Sequence, residues 1–112
     1  TPMPRTRRMD QIEALLADDP NDPFLRYGLA MEHAGQGDDA TAVQHLRDLI
    51  ALAPDAPYIP AFLMCGQALV RLGKETEAVA VLKQGIAAAT KAGTPEALHA
   101  RGEMDGLLAT VE

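Results

Sequence analysis

Leu29-Ala30-Met31-Glu32-His33, then Gly37-Asp38, then Ala42-Val43-Gln44-His45-Leu46: this spacing returns as Cys65-Gly66-Gln67-Ala68-Leu69, Gly73-Lys74 and Ala78-Val79-Ala80-Val81-Leu82. The turn glycines set the period, 73 − 37 = 36 residues. A repeat of that size is the mark of helix-turn-helix solenoids, whose units are too small to bury their own apolar faces and must lay them on their neighbours. The fold class expected is all-α.

Outward from the repeat, apolar residues recur at helical spacing in the segments between prolines and glycines. Ile12, Leu15 and Leu16 predict a first helix, stopped by Asp18-Asp19-Pro20. Asp22 is a good N-cap and Pro23 a good first-turn residue for a second helix that Gly35-Gln36-Gly37 ends. Asp38 or Asp39 caps a third, with Ala42, Val43, Leu46, Leu49 and Ile50 on one stripe, and Pro54 closes it. Pro60 is tolerable only in the first turn of helix four, which carries Phe62, Cys65, Gly66 and Leu69. Helix five repeats helix three through Ala78, Val79, Leu82, Gly85 and Ile86. It runs on to about Lys91 because Thr90 stands where helix three meets Pro54. Thr94-Pro95-Glu96 opens a sixth helix bearing Leu98, Gly102, Leu107 and Leu108, with Asp105 on its packed side. The expected organisation is a flexible N-terminal arm, 1–8, and one domain, 9–112. That domain divides into a capping helix 9–20, repeats 23–54 and 59–92, and a capping helix 95–110.

Composition narrows the partners. Sixteen acidic against ten basic residues give a net charge of −6, a field that repels phosphate backbones and anionic lipid, so neither nucleic acid nor a membrane is expected. Hydrophobic residues make up 47% but aromatics only 4%, with no Trp, so the core must come from Ala, Leu, Val, Ile and Met. One cysteine rules out an internal disulfide and fits a reducing compartment. No apolar run approaches a membrane span and no signal-peptide core follows Arg5, Arg7 and Arg8, so a cytoplasmic location is expected.

The repeat resembles the tetratricopeptide motif, W-x-x-L-G-x-x-Y followed by A-x-x-x-F, A and P. In the second unit Phe62, Cys65, Gly66, Leu69, Ala78, Leu82 and Gly85 stand at the motif positions. In the first, Arg26 takes the large-aromatic place, followed by Leu29, Ala30, His33, Ala42, Leu46, Leu49 and Pro54. Ile12, Leu15 and Pro20 keep the spacing of Leu46, Leu49 and Pro54, and Leu98 and Gly102 that of Phe62 and Gly66, so both flanks read as half-repeats. The resemblance implies a right-handed α-α superhelix of about six helices. It also implies a protein-interaction module whose first helices line a concave groove for a peptide or helix.

Carried over position by position, the groove residues are Phe24, Tyr27 and Met31, then Leu63, Met64, Gln67 and Arg71, then His99 and Glu103. That surface is mostly apolar and suits an apolar or amphipathic protein segment. The family's basic, Asn-lined clamp for the C-terminal carboxylate of heat-shock chaperones needs cations this groove does not offer, having Arg71 and Arg26 alone and no Asn. Self-association, as a homodimer through the terminal helices, is the alternative, since partly capped ends can complete one another.

No cofactor, metal or catalytic site is expected. His33 falls at the motif's Tyr and should pack between helices, His45 lies near the outer face of helix three, and His99 points at the groove. No CxxC, HExxH or EF-hand spacing occurs, and Cys65 sits at a buried Leu position where a thiol behaves as a small hydrophobe. His99 and Glu103, at i and i+4, read as a surface pair and not as an acid-base couple. The chain is therefore not expected to be an enzyme.

Overall fold

The computed structural model describes residues 5–112. Six helices follow one another in it: α1 (Arg7–Asp18), α2 (Pro23–Gly35), α3 (Asp39–Leu52), α4 (Ile59–Arg71), α5 (Glu75–Ala92) and α6 (Pro95–Val111). Of the expected arm, residues 1–4 lie outside the described residues. Its last residues are helical, because the Thr6 hydroxyl accepts the Met9 N–H at 3.0 Å and starts α1 at Arg7. Arg5 is drawn onto the same helix by Asp10 and Glu13, at 2.9 and 2.7 Å.

Local chemistry sets the other boundaries. Asp22 accepts from the N–H groups of Phe24 and Leu25, at 2.9 and 3.2 Å, and Pro23 occupies a position where its missing N–H costs nothing. Asp38, not Asp39, caps α3, accepting from Thr41 N–H at 3.3 Å. Thr94 caps α6 through Ala97 N–H at 3.1 Å. Both hairpin turns close identically. Gly37 and Gly73 take positive φ, 81° and 75°, and the next residue's N–H bonds back to His33 and to Leu69, each at 2.9 Å. Backbone chemistry thus repeats with the sequence.

Each helix packs on the next, and α4 packs on α6 as well as on α3 and α5. α4 is accordingly the centre, burying Ala61, Phe62, Cys65, Gly66, Ala68 and Leu69. Two glycines permit its close approach to α5. A Cβ on Gly66 would lie 2.5 Å from a Leu82 methyl, and one on Gly85 would lie 2.5 Å from both Phe62 Cβ and Met104 Sδ. Among the described residues there is no strand, and the molecule is an all-α helical repeat.

Two expected stripes are corrected. In α5 the residue turned fully inward beside Leu82 is Val81, 3% exposed, while Val79 is half-buried. In α6 the buried positions are Ala97 and Met104, not Leu98 and Gly102, and Asp105 is exposed. The reason is geometric: α6 turns its Ala97–Met104 side to α4 and α5. Gly102, at the register of Gly66, meets nothing within 4 Å.

Candidate functional site

The groove residues expected from the sequence lie on α2, α4 and α6, the first helix of each hairpin and the last helix. Phe24 is 71% exposed and Met31 48% exposed, whereas Tyr27, Leu63 and Met64 are half-buried against the main core. Gln67 is exposed, and His99 and Glu103 form an exposed pair at 3.1 Å. Met31 borders a hollow of about 270 Å³ between α1 and α2, shared with Arg8, Gly28 and Glu32.

A residue outside the expected set organises one end of this surface. Tyr58, the N-cap residue of α4, meets Phe24 edge-on with ring centroids 5.6 Å apart and Tyr27 with centroids 5.2 Å apart. Three rings thus stand in a row where α2 meets the start of α4, in the offset or edge-to-face arrangement that ring quadrupoles favour. Burial raises the Tyr27 hydroxyl pKa, with lesser contributions from Tyr58 and from Glu103. Tyr58 also borders a cleft of about 300 Å³ with Pro23, Leu49 and Leu52, and a second cleft of about 430 Å³ lies beyond Pro57, between Ile59 and Ala88. Sequence reasoning missed Tyr58 because it sits in a proline-rich join with no periodicity. An aromatic between two prolines, ahead of an apolar helix, was the available signal.

The cations of these helices are engaged elsewhere. Arg71 grips Asp39 through Nε, 3.1 Å from both carboxylate oxygens, and through Nη2 at 2.8 Å, which ties the end of α4 to the start of α3. The Asp39 hydrogen bonds raise the Arg71 pKa. Arg26 donates to the Pro20 carbonyl at 2.8 Å, and Arg101 reaches the Thr90 hydroxyl at 3.4 Å.

Of the residues that could carry chemistry, His99 forms the exposed pair with Glu103 and the others pack against neighbours. His33 and His45 are stacked, with ring centroids 5.3 Å apart and an 18° interplanar angle, and Asp38 Oδ2 lies 3.7 Å from His33 Nδ1. His45 is consequently half-buried and not on the open outer face; burial, then His33, lowers its pKa. Cys65 is fully buried, and burial pushes its thiol up to about 11, which suppresses the thiolate needed for nucleophilic chemistry. Among the described residues no three His, Cys, Asp or Glu side chains gather as metal ligands would, and no helix is long and apolar enough to cross a membrane.

Stacked helical hairpins of 36-residue period, closed by matching turns and locked by Gly66 and Gly85, define a tetratricopeptide-like helical repeat. The solution NMR structure of a tetratricopeptide repeat domain protein from Salinibacter ruber matches it with a TM-score of 0.71 and 29% sequence identity, over 83% of this chain and 89% of that chain. No family model matches the sequence, and no curated protein matches it.

Proposed function

We propose that the chain is a protein-interaction module that holds a peptide or helix of a partner in the groove of α2, α4 and α6, binding it without transforming it. The observation that carries this reading is the exposed apolar surface on the fold's first helices: Phe24 and Met31 stand mostly or half in solvent beside half-buried Tyr27, Leu63 and Met64. An adaptable surface of aromatic and methionine side chains suits an apolar or amphipathic segment. Gln67 and the His99–Glu103 pair supply the polar rim. Immobilised wild-type protein should retain partner proteins that a Phe24→Ala, Met31→Ala variant loses, with unchanged circular dichroism. Retention of the same proteins by both forms would place the binding face elsewhere.

One observation favours a second reading, self-association through the terminal helices. Leu98 and Gly102 occupy the register that Phe62 and Gly66 fill in α4, yet Leu98 is 39% exposed and a Cβ on Gly102 would meet no other element within 4 Å. A second copy's helix could cover that side of α6. Light scattering across a wide concentration range separates the readings, since a strict monomer removes this one.

A further inference from the structure

We propose that the ring row Phe24, Tyr58 and Tyr27 receives an Arg or Lys side chain, and hence that the partner segment is basic as well as apolar. The inference rests on the groove reading above and adds the partner's charge to it.

The first support is the distribution of charge around the rings. Asp22, whose carboxylate accepts the Phe24 and Leu25 N–H groups at 2.9 and 3.2 Å, stands at one end of the row. The second is the cation inventory. α2, α4 and α6 hold one Arg each and no Lys. Arg26, Arg71 and Arg101 are all engaged, by the Pro20 carbonyl, Asp39 and the Thr90 hydroxyl. None of these bonds holds a guanidinium group against the rings, in a chain whose net charge is −6.

Energetics then choose among occupants. A purely apolar side chain laid over the row would strip water from Asp22 and return nothing to it. An anion would face the Asp22 carboxylate and the negative ring faces together. A guanidinium or ammonium group meets both the Asp22 carboxylate and the ring quadrupoles favourably, and Phe24, with most of its ring in solvent, is the open member of the row.

Panning a displayed library of random linear peptides against the immobilised protein tests this. Enriched peptides should carry Arg or Lys beside Leu, Met or Phe. Their affinity should fall about tenfold on Phe24→Leu, which keeps apolar area but removes the ring. It should also weaken on Asp22→Asn, which keeps a good helix cap, at low salt and less so at high salt. Circular dichroism should show both variants fully helical. Neutral or acidic peptides, indifferent to Phe24→Leu yet released by the Phe24→Ala, Met31→Ala variant, would overturn the cation and leave the groove standing. Peptides insensitive to every substitution, or no enrichment at all, would remove the groove reading and this inference with it. A dimer that dissociates on Phe24→Ala would put a second copy on the rings, and that too contradicts a basic partner.

Discussion

Gly66, Gly85 and Gly102 are all helical glycines, and a methyl group added to each meets a different environment. At Gly85 it would lie 2.5 Å from Phe62 Cβ, an atom fixed to the α4 backbone, so relief requires α4 and α5 to move apart. At Gly66 the atoms met are Leu82 Cδ2 and Cγ, at 2.5 and 2.8 Å, which a rotamer change can partly withdraw. Gly85→Ala should therefore cost about 1–3 kcal/mol through overpacking, and Gly66→Ala less, because Leu82 can partly withdraw where Phe62 Cβ cannot. Gly102→Ala meets no neighbour and should stabilise by about 0.5–1 kcal/mol through propensity alone. Urea denaturation of the three variants checks the order, and a stabilising Gly85→Ala would contradict the packing described. At this scale the sequence was partly informative: Gly66 repeats the small Ala30 at the 36-residue period, whereas Leu49 stands where the second unit has Gly85. It could not say that Gly102, in the same register as Gly66, lacks a helix opposite it, since that depends on what stands across from α6.

Between α2 and α3, burial of His45 against the His33 ring should make the first hairpin sensitive to acid. Burial is the main cause of the lowered His45 pKa, His33 the next; Asp48 and Glu13 act in the opposite direction, and Arg26 adds to the lowering. A base whose folded pKa is depressed binds fewer protons folded than unfolded, so stability is complete above the unfolded histidine value, about 6.5, and is lost progressively as pH falls below it toward the folded pKa. The urea midpoint should thus drop between neutral pH and about pH 5, and His45→Gln should shrink that drop. An equal drop in both proteins would assign the acid sensitivity to other groups. Asp38, whose carboxyl is held low chiefly by the Thr41 hydrogen bond, loses its share only below the ordinary carboxylate range, so the two effects separate on the pH axis. Helix number, order and most caps were legible from Asp22-Pro23, Gly37, Gly73 and Thr94-Pro95, because capping is local chemistry. The His33–His45 stack, the Arg71–Asp39 clamp across 32 residues and the place of Tyr58 were not, because each joins residues from different helices through geometry that periodicity does not encode.

Across the whole molecule, stability should follow position along the stack. A solenoid unit draws its stabilisation from its neighbours, so an element with one principal neighbour opens at lower free energy than one with three. α1 packs chiefly on α2, and its buried Met9 and Ile12 join only Leu29 in a small cluster separate from the main core. The Arg8–Glu32 ion pair at 2.9 Å adds little there, because Arg8 is 74% exposed and such surface pairs contribute about 1 kcal/mol at most. α4, by contrast, is flanked by α3, α5 and α6 and holds Phe62, Cys65 and Leu69 almost wholly out of water. Native-state hydrogen exchange should consequently find α1 amides opening far more readily than those of α4 and α5, whose exchange should track global unfolding. Substituting Phe62 by Leu should lower α4 protection and the global unfolding midpoint together, while Ile12→Ala should speed exchange in α1 and leave α4 nearly unchanged. If α1 and α4 instead exchanged at one common rate, and Ile12→Ala lowered both alike, the chain would be unfolding as a single cooperative globule and the nearest-neighbour stack would be the wrong description of what holds it together.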